Sequence, residues 1–411
     1  MFSIALAMTL FQGPAEVPDD VLMTTKGRTY SGVVLLQTEE NIILGMGSKT
    51  KEFDLDKVQN ITGPRASYGL YVDKLEWVYA HASPSKDAVK LATWCKANGL
   101  LRDVEIHYWQ ALVKDPENAA AHQALGHRQS GDTWQAPIAG SQWRDLEALD
   151  QWHSDKDNPW EFRSAHFDVK VNGPLADALR AVAHLELLYA RFYDVFQQAG
   201  GIHELRQPIA VRIYTNRESG YAEISANTFG YFDRESEIIN TWMHEGRAVN
   251  LVRLACHALQ FRCVTETANA RPEDYPGWLN EGIATYFEAS FTENEGLSDF
   301  FFDRLDADWL RVHHQAKEPL ELDQVLNLPI TMGDRGDSQL AFAQSYSLLC
   351  FLLHNEELPI LSGFKAYLHQ VFRGKFSSSV FKKSFKKKTF KGLEKKWADF
   401  VEKSALRNQM K

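Results

Sequence analysis

Arg253 and His257 stand four residues apart in Asn250-Leu-Val-Arg-Leu-Ala-Cys-His-Ala-Leu-Gln-Phe261, and Glu281 follows in Pro276-Gly-Trp-Leu-Asn-Glu-Gly-Ile-Ala-Thr-Tyr-Phe-Glu288. On a helix, side chains at i and i+4 lie one above the other. Arginine offers a permanent charge in a fork that matches a carboxylate. Histidine carries protons or binds metal. A buried acid such as Glu281 needs a compensating cation. The chemistry open to these residues is therefore ion pairing or the holding of a cation. His244-Glu245 imitates half of a metalloprotease motif, but Ala248 stands four residues after His244. His244 also lies thirteen residues before His257, roughly the opposite side of a continuous helix. It is expected to be a solvated or loop histidine.

The elements that must position these groups are two helices. Val249, Leu251, Val252, Leu254, Ala255, Cys256, Leu259 and Phe261 make the first apolar on nearly every side, which predicts a helix buried all round, with Asn250 as its N-cap. The second begins at Pro276-Gly277 and turns Trp278, Leu279, Ile283, Tyr286 and Phe287 inward.

This layout resembles the zinc core of the gluzincin peptidases, in particular a bacterial family of unassigned function with a peptidase-MA-like domain. That family carries His-Glu-x-x-His on a buried helix and then Pro-x-Trp-Leu-x-Glu-Gly-(Leu/Ile)-Ala-x-Tyr-Phe-Glu. The second signature stands here almost letter for letter; the first does not. The resemblance implies that His257 matches the second histidine ligand and Glu281 the third ligand. Arg253 replaces the first histidine and Leu254 the glutamate that acts as general base. Catalytic residues and a bound metal are therefore not expected. If the fold is kept, the Arg253 guanidinium is expected at the zinc position, paired with Glu281, with a neutral His257 hydrogen-bonded alongside. The alternative is Arg253 swung into solvent with Glu281 protonated or hydrated.

The resemblance spans roughly residues 160 to 405. Ala165–Val171 reads as a strand and Leu175 to about Gln198 as a long amphipathic helix. Ile209–Tyr214 reads as a second strand, and Phe229–Phe232 with Glu237–Thr241 as a hairpin turning at Asp233–Ser236. His166 reads as structural. In gluzincins the sheet's edge strand pairs with extended substrate, so Phe229 and Tyr231 mark where a peptide or protein is expected to bind. Leu320–Leu326 and Ala341–Leu353 read as core helices.

Ahead of this domain, residues 16–66 read as short alternating strands resembling a small SH3- or Sm-like barrel. Residues 80–135 resemble one tetratricopeptide repeat, with Gly99 at the helix turn and Pro116 at the end, and 136–160 read as a linker with some helical content. The expected fold class is α+β: a gluzincin-like domain of small mixed sheet plus helical half, preceded by a β-barrel and a helical hairpin.

The composition is that of a core-forming chain, and a net charge of −9 argues against a general nucleic-acid binder. From Leu361 onward, however, fourteen Lys and Arg face three acids. Phe381-Lys-Lys-Ser-Phe-Lys-Lys-Lys-Thr-Phe390 alternates aromatics with lysines, as suits an anionic partner or, more commonly, a solvated helix face. The four scattered cysteines read as buried hydrophobes; a zinc site from Cys256, His257 and Cys263 is disfavoured because adjacent residues face different ways. Residues 1–15 are apolar with small residues at 13 and 15, like a truncated signal peptide, but lack its charged start. Export to the periplasm or envelope is expected, with the cytoplasm as the alternative; no segment is long enough to span a membrane.

Three readings stay open. The chain is an inactive peptidase-like binding or scaffold module, or a divergent hydrolase with an altered zinc site recruiting His244, Glu245 or Glu288. In the third, its function lies in the front modules and basic tail.

Overall fold

The computed structural model describes residues 19–47, 49–80, 84–138, 142–220, 230–268, 274–294, 297–302, 305–329, 338–386 and 390–407. The fold is α+β. Five antiparallel strands open the chain: β1 (Asp20–Thr24), β2 (Thr29–Gln37), β3 (Asn41–Met46), β4 (Lys49–Asp54) and β5 (Val58–Thr62), in the order β4-β3-β2-β1-β5. Alternation puts Leu22, Val34, Ile42, Leu44 and Phe53 on one face, where they form a small core of their own. Asp20 ties this sheet to the next element. Its buried carboxyl accepts from the backbone N–H of Val34 (3.1 Å), Arg65 (3.0 Å) and Ala66 (3.4 Å).

Helix α1 (Pro64–Ala80) was not expected from the sequence, although Tyr68, Tyr71, Val72, Leu75 and Val78 carry the helical spacing. Helices α2 (Ser85–Ala97), α3 (Val104–Lys114) and α4 (Ala119–Ala124) follow, and Gly99 (φ 80) makes the turn between the first two. Residues 136–160, expected as a linker, hold regular structure. They complete a three-stranded sheet of β6 (Arg128–Ser130), β7 (Thr133–Ile138) and β8 (Gln142–Arg144), then α5 (Leu146–His153), and reach the first residue of the next strand. Trp143, Trp152 and Trp160 misled the sequence reading, since aromatics among polar residues carry no clear period.

The mixed sheet comprises β9 (Trp160–Arg163), β10 (Phe167–Val171), β11 (Ile209–Tyr214), β12 (Tyr231–Asp233), β13 (Ile238–His244) and β14 (Arg247–Ala248). Its order is β12-β13-β11-β10-β9, with β14 paired to β13. The β10–β11 and β11–β13 pairs are parallel, the two ends antiparallel. The parallel β10–β11 pair needs a crossover, supplied by α6 (Leu175–Gly200, 26 residues), whose apolar stripe includes Leu185, Leu188, Phe192 and Phe196.

The helical half contains α8 (Leu251–Ala268) and α9 (Gly277–Ser290), after the short α7 (Arg217–Gly220). A small hairpin of β15 (Phe291–Asn294) and β16 (Leu297–Phe300) follows. Then come α10 (Ala307–His314), α11 (Leu322–Leu326), α12 (Ser338–Leu353), α13 (Leu358–Val371), α14 (Ser378–Ser384) and α15 (Lys391–Arg407). One continuous core runs from Tyr71 of α1 to Ala405 of α15, so the front helices share it with the mixed sheet and the helical half. The Phe-Lys alternation of the tail resolves into two faces. Phe381, Phe385, Leu393 and Trp397 are buried, while Lys383, Lys386, Lys391 and Lys395 are exposed. Among the described residues no helix is long and apolar enough to cross a membrane.

Two glycines of the Pro-Gly-Trp-Leu-x-Glu-Gly run permit close approach. A Cβ on Gly277 would lie 2.1 Å from the carbonyl oxygen of Pro329, and one on Gly282 2.8 Å from that of Ser345 in α12. Gly277→Ala is expected to destabilise the chain by about 3 kcal/mol, because the obstruction is backbone and the helix end gains little from alanine. The urea midpoint measures this; an unchanged midpoint would show that the loop after α11 yields freely.

Candidate functional site

Helices α8 and α9 pack face to face at the centre of the molecule. Gln260 of α8 donates to the carbonyl of Asn280 (3.1 Å) and accepts from the Tyr275 hydroxyl (3.0 Å), which fixes the start of α9 against α8. Trp278 is fully buried, parallel to Tyr367 and edge-on to Phe381. This anchoring leaves Glu281, Thr285 and Glu288 on one side of α9 at i, i+4 and i+7, opposite Arg253 and His257 of α8.

Arg253 lies between them. One terminal nitrogen donates to Glu281; the other donates to Thr285 Oγ1 (3.0 Å) and Glu288 (3.2 Å). The guanidinium carbon sits 4.9 Å from the centre of the Phe342 ring of α12, a cation–π contact. The Arg253 and Glu281 side chains are 15% and 8% exposed, so the pair is screened little by water, whereas Glu288 is 37% exposed. His257 Nε2 approaches the same Glu281 oxygen at 3.4 Å without hydrogen-bond geometry and is buried with no hydrogen-bond partner among the described residues. The hydrogen bond expected for His257 is therefore not formed; the ring sits beside the ion pair.

Burial acts to raise the Glu281 carboxyl, but His257 and Arg253 outweigh it and hold the group at about 2, against an ordinary 4.5. A carboxyl depressed by folding stabilises the fold above its unfolded value, and that contribution is lost as pH falls toward 2. Relative to Glu281→Gln, the wild-type chain is expected to lose on the order of 3 kcal/mol between pH 5 and pH 2, read from urea midpoints. Parallel pH curves for the two proteins would contradict this.

Leu254 is buried and packs beneath the mixed sheet's edge. A Cβ on Gly230 (φ +95) would meet its Cδ1 at 2.7 Å. Edge strand β12 lies over α8, with Phe232 edge-on to Phe261 at 5.4 Å. Tyr231 of β12 is half-buried and pairs with Asn240, and its hydroxyl is pushed up by burial, then by Asp233 and Tyr214. Phe229 lies outside the described residues. The turn after β12 falls where the sequence placed it. Beside His257 and Phe232 the space amounts to ≈ 10 Å³, about the room of one water.

His244 ends β13, exposed and paired across a turn with Arg247, and Glu245 (φ 50) occupies that turn. No hydrogen bond or ion pair among the described residues joins either to Arg253, His257 or Glu281. Glu288 joins the cluster through Arg253 rather than through a metal set. Thr285 and Phe342 were missed by sequence reasoning. The i+4 spacing of Thr285 from Glu281 was a usable signal, whereas nothing local marked Phe342, which arrives from α12. Cys95, Cys256, Cys263 and Cys350 are free and buried, and burial raises all four thiols. Among the described residues no group of three or more His, Cys, Asp or Glu is placed to hold a metal ion. Compared with known proteins, the chain matches no protein-family model and no curated protein sequence.

Proposed function

We propose that this chain is a catalytically inactive relative of the gluzincin peptidases, working as a binding or scaffold module of the bacterial cell envelope. The observation that carries the reading is the Arg253 guanidinium, seated between Glu281 and Glu288 beside His257. Zinc does not fit this donor set. Arginine donates hydrogen bonds and cannot lend a lone pair, its charge repels a dication, and Leu254 is no base. The position that a metal would neutralise is neutralised by the protein itself. On this reading the front sheet is an SH3- or Sm-like barrel and the α2–α3 pair a tetratricopeptide-like hairpin. The β12 edge takes an extended peptide or protein segment, and the exposed lysines of α14 and α15 face an anionic partner.

The Pro-Gly-Trp-Leu-Asn-Glu-Gly run supports the family reading, together with an antiparallel edge strand over the helix that bears His257. The test is zinc content of the purified full chain and cleavage of a broad peptide library with and without chelator. Neither stoichiometric zinc nor chelator-sensitive cleavage is expected. Either one refutes the reading in favour of a divergent metal-dependent hydrolase.

A further inference from the structure

From Leu358 to Lys396 the chain carries eleven Lys and Arg and a single acid, Glu394. With the whole chain at −9, everything outside that stretch carries −19. So uneven a distribution gives the molecule one positive end. Helices α13, α14 and α15 build that end and are packed side by side. A Cβ on Gly363 of α13 would meet the Phe385 ring at the end of α14 at 2.6 Å. Glu357, the N-cap of α13, is ion-paired with Lys396 of α15. Lys382 of α14 lies over the Phe390 ring, 4.5 Å from its centre, and reaches Asp323 at 3.5 Å.

The one acid of the stretch is engaged elsewhere, since Glu394 accepts from the Leu322 N–H at 2.7 Å. Lys365, Lys375, Lys383, Lys386, Lys391 and Lys395 are exposed and have no ion-pair partner among the described residues. Two of them occupy positions that local stability disfavours. Lys391 opens α15, at the positive end of the helix dipole, and Lys395 follows at the four-residue spacing where like charges repel. A face that needed only to be solvated would be better served there by acids. Cations held against local stability are what a surface for an anionic partner requires.

Leu358, the residue after Glu357, is 74% exposed. It heads a side of α13 that continues at helical spacing through the exposed Ser362 and Lys365. Nucleic acid or a soluble polyanion would use the charge and leave this leucine in water. A bilayer uses both, because lysines stay at the level of the phosphates while an apolar side chain enters the boundary beneath them.

We propose that the α13–α15 end docks on an anionic phospholipid bilayer, with its lysines at the headgroup phosphates and Leu358 in the headgroup boundary. This rests on the anionic-partner part of the proposed function and names that partner; zinc content and peptide cleavage do not bear on it.

Co-sedimentation of the full chain with vesicles of about 30% phosphatidylglycerol in phosphatidylcholine is expected to show saturable binding. Pure phosphatidylcholine is expected to bind at least about tenfold less, and salt at about 0.5 M to release the protein. Lys391→Glu with Lys395→Glu is expected to weaken binding by at least about tenfold while the urea midpoint stays or rises, a combination that a purely structural role would not give. Leu358→Ser is expected to weaken it by about threefold to tenfold. The same charge change in the front modules, Lys26→Glu with Lys86→Glu, both exposed, is expected to keep binding within about twofold, since those positions lie outside the docking end. Equal binding to the two vesicle types overturns the proposal, as does binding unmoved by the α15 pair or by Leu358→Ser. Polyphosphate and a DNA duplex are the soluble arms. Saturable binding to either without binding to vesicles overturns the bilayer and leaves the anionic-partner reading standing, whereas binding to none of them ends both.

Discussion

Arg253→Ala is expected to lower the stability of the chain by about 3 kcal/mol, whereas Arg253→Ala combined with Glu281→Gln costs much less. The asymmetry follows from burial. The Glu281 side chain is 8% exposed, and without the guanidinium its carboxylate keeps, among the described residues, only a hydrogen bond from Asn280 at 3.4 Å and the imidazole at 3.4 Å. Glu288, 37% exposed, returns to water at little cost. Replacing Glu281 by its neutral amide removes the uncompensated charge, so the double variant loses mainly packing and the Phe342 contact. A double-mutant cycle read by urea denaturation is expected to give a coupling of about 2 kcal/mol between Arg253 and Glu281. A single-variant loss below about 1 kcal/mol, the level of a surface pair, would mean that the guanidinium does not offset the buried acid.

Arg253→His is expected to turn the chain into a zinc binder, taking up about one ion per chain with an affinity at least about a thousandfold above wild type, a difference near 4 kcal/mol. The substitution removes the resident cation and places a second imidazole one turn before His257, facing Glu281. Two imidazoles and a carboxylate are the three protein ligands of a catalytic zinc site. Zinc content after dialysis measures the effect. Arg253→Lys, which keeps the charge but adds no imidazole, is the control and is expected to bind none. Adding Leu254→Glu supplies a general base, and peptide hydrolysis is expected to rise by about 10²–10⁴-fold over Arg253→His alone. A folded Arg253→His variant without zinc would show that His257 and Glu281 do not mark a metal position, and the family reading would fall with it.

Much of the α8–α9 geometry was legible because it is written in periodic residues. The apolar run around Cys256 demanded a buried helix, and the four-residue step from Arg253 to His257 put both on one side of it. Trp278, Ile283 and Phe287 turned α9 inward, and the strand at Ile209–Tyr214 was legible to the residue. Residues 136–160 were less legible because short strands and an eight-residue helix leave too few repeats to show a period. Helix α1 went unnoticed although its spacing is regular, since it joins two modules and belongs visibly to neither.

By itself, then, the sequence determined the central helices α6, α8 and α9 and the strand at Ile209–Tyr214, the common face of Arg253 and His257, and the expectation that a fixed cation would pair with Glu281. Those follow from local periodicity and from the cost of burying charge. Only the tertiary structure decided that Thr285, Glu288 and Phe342 complete the shell around Arg253, that His257 approaches Glu281 without bonding to it, and that Gly363 against Phe385 and Glu357 with Lys396 hold α13, α14 and α15 side by side. Such juxtapositions join residues far apart in the chain, and their geometry is set by how whole elements pack.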